Sequence, residues 1–457
     1  MGKLSSSQKT ALRKSSREAI QKAFAGLTRP FNRKRWVWNN NVYRKNCIKA
    51  LWDHTQPGFT VNAAHLVDYI AASAPLHCAD GWSFLGRALA CHANGDSDTA
   101  RHLGYYAELR AAMSLLATEG VGIFDRKHFV VENSGNCQVI PKATGGGRQR
   151  WLGTHEVAWH ALEHWANRRH STDILSEIIQ AGGIPLRDWL RTLGSGSPWR
   201  PIGSNWLKTW GLDLQQLTDD REARNAASYR PTHLNPVTPL DTSSSSDFLR
   251  NLWELFEPSA GSPFELLDRH LLRLSLELGF KAITDKEPGG YPNEFEMSIG
   301  TVLSRLALSE PALQQWRDFL TRKTERSDPI IISQARQSAM VSDPRYHIQV
   351  LSRATLLLRV ATGACAQLLR KTGFGNEDLE FWWKPFGAER GLWEQGNEPI
   401  TLMDLWADVE IALNEAREWG SNNTGNDVSF ARWRREKARV IPILAECERI
   451  ALWGLGS

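Results

Sequence analysis

The chain has 457 residues, of which 42% are apolar and 9% aromatic, enough to fill hydrophobic cores and to argue against global disorder. No apolar run approaches the ~20 residues of a membrane-spanning helix, and no secretory h-region follows the basic start, so we expect a cytoplasmic protein without a membrane partner. Six scattered cysteines without a CxxC pair argue against structural zinc and favour a reducing compartment.

The first 50 residues form a strongly basic segment. They contain 13 Lys or Arg and one Glu, a net charge of +12, whereas the rest of the chain carries −7. Ser5 and Gln8 fit a capping box, and an apolar stripe at helical spacing follows them. This pattern predicts a basic amphipathic helix that ends at Pro30.

We interpret residues 1–50 as an arm that contacts RNA or DNA, because Lys and Arg beside Trp combine phosphate pairing with base stacking. The candidate contact residues are Arg13, Lys14, Arg17, Arg33, Lys34, Arg35 and Trp36. Docking onto an acidic partner, or onto the acidic body of the same chain, would explain the charge equally well. A transit peptide and myristoylation at the Met1-Gly2 start are further alternatives.

Helical periodicity dominates the remainder, so the predicted fold class is all-α, with two helical lobes. The helices predicted first are 62–73, 80–93, 98–119, 154–169, 171–181 and 185–193, with a short extended pair at 128–132 and 138–140. Residues 196–246, rich in Pro, Gly and Ser, are the predicted linker. Helices are predicted again at 247–256, 263–279, 295–308, 310–325, 345–371, 401–419 and 429–453, the last kinked at Pro442, with an aromatic loop at 373–398.

The strongest local pattern lies in segment 100–129, ARHLGYYAELRAAMSLLATEGVGIFDRKHF. It resembles the HEPN superfamily (higher eukaryotes and prokaryotes nucleotide-binding) at Arg101, Tyr105, Tyr106, Ala107, Ala112, Leu115, Leu116, Gly120 and His128. The spacing between Arg101 and Tyr105 is one residue longer than in that family. The resemblance covers about 50 residues and implies a HEPN-like helical domain over 51–195, followed by a second helical domain over 247–457. It also implies a role in a prokaryotic defence or conflict system.

Many HEPN proteins are metal-independent RNases in which an Arg precedes a His by a short helical spacing. Here the best match is Arg148 and Arg150 with His155, while Arg87 with His92 is a further match. The His would move protons at an RNA 2′-OH and the Arg would hold the phosphate, so the scheme requires no metal and no cofactor. The Gly145–Gly147 turn would give the RNA backbone close access.

Two other patterns have a structural interpretation. His160, Glu163 and His164 match the zinc pattern HxxEH, but His160 and Glu163 lie opposite the apolar stripe of their helix, so we predict no metal there. Asp404 and Asp408 fit an ordinary helix surface.

The function predicted from the sequence is therefore that of a HEPN-like protein that contacts RNA or DNA through its arm and has the residues for a metal-independent endoribonuclease. The alternative is a non-enzymatic interaction subunit of a multi-protein complex, in which the arm and the aromatic loop at 373–398 bind a protein partner.

Overall fold

The computed structural model describes residues 4–27, 35–145, 148–191, 193, 201–229, 242–259, 262–306, 308–423 and 430–456. These residues are mainly helical and contain only short antiparallel strands, which confirms the predicted all-α class. Within these ranges, no helix combines the length and apolar character that crossing a membrane requires.

The first part of the chain contains helices α1 to α10 and all the strands of the described residues. The helices are α1 (Ser6–Arg13), α2 (Arg17–Leu27), α3 (Cys47–His54), α4 (Ala63–Ala93), α5 (Ser97–Thr118), α6 (Thr154–Ala166), α7 (Arg169–Ile178), α8 (Leu186–Leu190), α9 (Gly203–Trp210) and α10 (Gln216–Tyr229). The strands are β1 (Val121–Gly122), β2 (Phe129–Val131), β3 (Cys137–Val139), β4 (Ala143–Gly145), β5 (Arg148–Arg150), β6 (Gln180–Ala181) and β7 (Ile184–Pro185). They pair as β1-β2-β3, β4-β5 and β6-β7.

The second part of the chain is mainly helical over its described residues. Its helices are α11 (Thr242–Leu255), α12 (Glu265–Thr284), α13 (Pro292–Leu303), α14 (Glu310–Leu320), α15 (Ile330–Arg336), α16 (Tyr346–Lys371), α17 (Glu380–Glu389), α18 (Trp406–Asn422), α19 (Phe430–Glu436), α20 (Val440–Ile443) and α21 (Glu448–Gly456).

Helix α16 is the centre of the molecule, because it is buried on all sides over most of its length. It packs against α4 and α5, and two glycines allow this close approach. A Cβ atom at Gly81 would lie 2.6 Å from Leu358, and one at Gly104 would lie 3.0 Å from Leu351. Buried apolar residues of both parts of the chain form one hydrophobic cluster around this helix. The predicted segments 51–195 and 247–457 therefore share a core.

The arm forms helices that pack into this core. The predicted capping box is present, since the Gln8 backbone N–H donates to Ser5 Oγ at 3.3 Å and the Ser5 backbone N–H donates to Gln8 Oε1 at 3.0 Å. The single predicted helix is divided into α1 and α2, and Leu12, Ile20 and Phe24 are buried. The predicted extended pair is also present, as the antiparallel strands β2 and β3.

Several helix predictions are wrong, and they are wrong where tertiary packing outweighs local signals. Helix α4 continues through Pro75, where a break was expected, because its packing against α5 and α16 offsets the missing N–H. The predicted linker contains α9 and α10, and the predicted aromatic loop contains α17. The helix predicted at 429–453 is instead three short helices, α19 to α21.

Candidate functional site

Helices α5, α6 and α10 meet at a group of aromatic, histidine and arginine side chains, here called the His155 cluster. Its members are His102, Tyr105 and Tyr106 from α5, His155 and Trp159 from α6, and Arg224 and Ser228 from α10. The α5 residues lie on one helix face because they are three and four positions apart, and Arg224 and Ser228 are likewise one turn apart. Tyr105 is buried, whereas His102, Tyr106, His155 and Arg224 are half-buried.

A chain of hydrogen bonds determines which nitrogen of His155 carries the proton. Trp159 Nε1–H donates to Tyr105 Oη at 3.2 Å, and this oxygen lies 2.8 Å from His155 Nδ1. Among the described hydrogen bonds, Nδ1 is the one acceptor within reach of the buried Tyr105 hydroxyl, so the hydroxyl donates to it. The proton of the neutral imidazole is then on Nε2, which makes His155 a hydrogen-bond donor at this site.

His102 has the opposite arrangement. Ser228 Oγ donates to the backbone carbonyl of Arg224 at 2.9 Å, which uses the single proton of this hydroxyl. The contact of 2.8 Å between Ser228 Oγ and His102 Nδ1 therefore has the imidazole as donor. With its proton on Nδ1, His102 has a lone pair on Nε2 and is a proton acceptor.

Arg224 gives the cluster its positive charge. Its Nη2 donates to Tyr106 Oη at 2.6 Å, and its guanidinium group lies 5.2 Å from the centre of the Tyr106 ring. Burial lowers the pKa of His155, and the charges of Arg224 and Arg221 lower it further. Burial and Arg224 likewise lower the pKa of His102. Both imidazoles are therefore mainly neutral near pH 7, and the hydrogen bond that His155 Nδ1 accepts requires this form.

Aromatic rings extend the cluster along α4. Phe84 stacks on Tyr106 with ring centres 5.5 Å apart, and the exposed Arg87 lies 4.3 Å from the centre of the Phe84 ring. The ring of His102 lies 5.1 Å from that of Tyr106, and the ring of His155 lies 6.2 Å from it. Half-exposed rings beside guanidinium groups are suited to stacking nucleobases and pairing phosphates.

Of the predicted catalytic residues whose side chains the structure describes, His155 belongs to this cluster and Arg150 does not. Arg150 donates to both carboxylate oxygens of Glu156, at 2.7 and 2.6 Å, and this pairing lowers the pKa of Glu156 to about 2. The backbone of Arg148 pairs with Gly145 in the β4-β5 hairpin, and its side chain lies outside the described part of the chain, as do the turn residues 146–147. The structure instead brings Arg224 to His155.

The arm residues have separate locations. Arg17 donates to Glu119 at 2.9 Å and to Gln367 at 2.8 Å, and the buried Trp36 contacts Phe381 and Trp382. Neither side chain presents a free surface to nucleic acid, so docking onto the chain's own body explains these two. Three other predicted contact residues are exposed, namely Arg13, Lys14 and Arg35. The remaining two, Arg33 and Lys34, lie outside the described residues.

The remaining sequence patterns do not form sites in the described structure. No group of three or more potential metal ligands occurs among the described residues, and Glu163 of the HxxEH pattern is exposed. Arg449 donates to Asp408 at 2.9 Å, and His92 of the Arg87–His92 match is fully buried.

Sequence reasoning missed His102 and Arg224. Arg224 was missed because α10 was assigned to a linker. The available signal for a helix there was composition, because segment 216–229 has neither Pro nor Gly and includes three Ala residues.

No protein-family model, curated protein or solved structure matches this chain. The HEPN resemblance of segment 100–129 therefore stays a prediction.

Proposed function

We propose that this protein binds single-stranded RNA at the His155 cluster and cleaves it without a metal ion. The observation that carries the proposal is a pair of imidazoles beside Arg224 and Tyr106 whose hydrogen-bond contacts assign the proton to opposite ring nitrogens. One imidazole can accept a proton, and the other can donate a hydrogen bond. Together with a guanidinium group, they provide the general base and the charge stabilisation that phosphodiester transfer requires. A role in prokaryotic defence is also part of the proposal and depends on the HEPN resemblance alone.

In the proposed reaction, His102 Nε2 removes the proton of a ribose 2′-OH. The 2′-oxygen then bonds to phosphorus and the bond from phosphorus to the 5′-oxygen breaks. The leaving oxygen takes a proton from water, and the resulting hydroxide removes the proton from His102. His155 Nε2–H and Arg224 donate to the phosphoryl oxygens, where negative charge increases in the transition state.

The same arrangement defines the substrate class. Phe84 and Tyr106 are half-buried aromatic rings beside Arg87 and Arg224, and this combination suits the accessible bases and phosphates of a single strand. DNA of the same sequence would be bound but not cleaved, because it has no 2′-OH. Of the arm residues, the exposed Arg13, Lys14 and Arg35 remain candidates for additional phosphate contacts, although Lys14 would exchange its ion pair with Glu132 for the phosphate. Arg17 and Trp36, which pack into the body of the chain, are not candidates.

The test compares cleavage of single-stranded RNA by the wild type and by His102→Gln, His155→Gln and Arg224→Ala, each with and without EDTA. We expect His102→Gln to abolish cleavage while binding persists, and Arg224→Ala to weaken both. Two substitutions are matched controls and should leave cleavage unchanged: His164→Gln, at a half-buried histidine of the same helix outside the cluster, and Arg150→Ala.

Cleavage that EDTA abolishes, or that survives both histidine substitutions, would contradict the proposed reaction. Binding without cleavage in the wild type would leave a nucleic-acid-binding protein. If the wild type neither binds nor cleaves RNA, the non-enzymatic interaction subunit becomes the better interpretation.

A further inference from the structure

Helix α10, which supplies Arg224, is polar and has few buried apolar residues. Its buried residues are Leu217, Asp220 and Ala223. Asp220 is fully buried and accepts two hydrogen bonds from Arg353 of α16, from Nε at 2.7 Å and from Nη2 at 2.5 Å. Arg353 also donates to Gln216 Oε1 at 3.2 Å. The main polar attachment of α10 to the core is therefore an ion pair without access to water.

Glu108 of α5 completes this buried group. Its Oε1 lies 3.9 Å from Arg353 Nε, and no described donor reaches either of its carboxyl oxygens. Burial and the neighbouring Asp220 raise the pKa of Glu108 well above its ordinary value. A protonated Glu108 can donate to Asp220, which leaves one negative charge opposite the one charge of Arg353.

The buried group lies directly beneath the His155 cluster. Glu108 is one turn from Tyr105 on α5, and Asp220 is one turn from Arg224 on α10. An anchor at Asp220 determines the rotation of α10 about its axis, and this rotation determines where Arg224 and Ser228 lie relative to Tyr106 and His102.

We infer that Asp220, held by Arg353 at the junction with Glu108, is the positioning residue that places Arg224 and Ser228 in the His155 cluster. The inference rests on the proposed function only for its effect on cleavage. The effect of α10 on the two imidazoles can be measured without any substrate. Asp220 touches no substrate itself; it acts through the position of α10.

The test uses Asp220→Asn, which leaves the buried Arg353 without its charge partner. The first readout is the titration of His155 and His102 by NMR in the folded protein. Because Arg224 moves away, we expect both pKa values to rise towards the ordinary range. The second readout is cleavage per folded molecule, which should fall about 100-fold, as small displacements of positioning groups can do.

Two buried substitutions control for a general loss of stability. Asp268→Asn breaks the equivalent pair at the contact of α12 with α16, where Arg359 donates to Asp268 at 2.8 and 2.5 Å. It should lower stability and leave the histidine titrations unchanged. Glu108→Gln imitates the protonated carboxyl group and should preserve both the titrations and cleavage.

The outcomes separate this inference from the proposed function. If Asp220→Asn shifts the histidine titrations and the wild type does not cleave RNA, the inference holds and the proposed reaction fails. Unchanged titrations in folded Asp220→Asn overturn the inference, and so does an equal shift in Asp268→Asn. If Asp220→Asn does not fold, Arg353→Lys is used in its place. This substitution keeps the positive charge but loses the two hydrogen bonds to Asp220. Unchanged histidine titrations in folded Arg353→Lys would overturn the inference.

Discussion

At the scale of single residues, the Tyr105 hydroxyl determines which face of His155 carries the proton. Its oxygen accepts from Trp159 and its proton is donated to His155 Nδ1. The second Tyr–His pair of the described residues has the same pattern, since Tyr43 Oη accepts from the Asn62 backbone N–H at 3.1 Å and lies 3.0 Å from His54 Nδ1. The two pairs therefore differ in location and not in chemistry.

This equivalence provides a test of the proton position. We expect Tyr105→Phe to let His155 exchange its proton between the two nitrogens and to reduce RNA cleavage, with a stability loss of about 2 kcal/mol for the two lost hydrogen bonds. The measurements are ¹⁵N chemical shifts of the imidazole and the cleavage rate. Tyr43→Phe, the matched control, should cost similar stability and leave cleavage unchanged. Cleavage reduced equally by both substitutions would show that the effect is one of stability.

The sequence spacing predicted Arg150 as a partner of His155, whereas the structure pairs Arg150 with Glu156 and places Arg224 near His155. Arg150 is near His155 along the chain, yet Glu156 accepts both of its hydrogen bonds and holds it away from the cluster. Arg224 is far along the chain and reaches the cluster only through the packing of α10 on α5. A spacing rule detects residues that are close on one helix, and it contains no information about a contact between two helices that are far apart in the sequence.

At the scale of secondary structure, predictions succeeded where local start and stop signals are clear and failed where tertiary contacts decide. Helices α5 and α16 were predicted within a few residues of their observed bounds, because a glycine or proline stands close to each of their ends. Helix α10 was missed because its stability depends on the buried pair of Asp220 with Arg353, which joins distant parts of the sequence. Helix α4 was divided in two because Pro75 is a local breaking signal.

The arm provides a test at this scale, since its helices are expected to be part of the fold. Phe24 is fully buried, and its ring lies 6.5 Å from Trp36 and 6.1 Å from Phe374. We expect Phe24→Ala to lower the free energy of unfolding by about 3–5 kcal/mol, measured by urea denaturation. Lys9→Ala, at an exposed position of α1, should change it by less than about 0.5 kcal/mol. A negligible effect of Phe24→Ala would mean that the arm does not dock in solution.

At the scale of the whole molecule, the shared core makes buried histidines a source of acid sensitivity. Burial lowers the pKa of His92 and of His128 to about 4 and that of His270 to about 3. His128 shows the reason most clearly, because its Nδ1 accepts from the Phe124 backbone N–H at 3.2 Å and its Nε2–H donates to the Leu152 carbonyl at 2.9 Å. A second proton on this ring would be on Nδ1 and would face the Phe124 N–H, so the protonated form of His128 is disfavoured.

The sign of the pH dependence follows from these shifts. In the unfolded chain each histidine titrates near its ordinary pKa of about 6.5, so below that pH the unfolded state binds more protons than the native state. The free energy of unfolding therefore falls as the pH drops from about 6.5 towards 4. Asp268 acts in the opposite direction, because burial raises its pKa to about 6. Its contribution to the pH dependence of stability is smaller than the combined contribution of the three histidines.

We therefore expect the free energy of unfolding, measured by urea denaturation, to be several kcal/mol lower at pH 5 than at pH 7.5, since each pKa unit corresponds to about 1.4 kcal/mol. His128→Gln should flatten this dependence, because it removes one of the histidines that must stay neutral. His170→Gln should steepen it, since the hydrogen bond to Glu119 raises the pKa of His170, and that residue stabilises the fold at low pH. A wild-type stability that is equal at the two pH values, or a steeper dependence in His128→Gln, would contradict the burial of neutral histidines in the shared core.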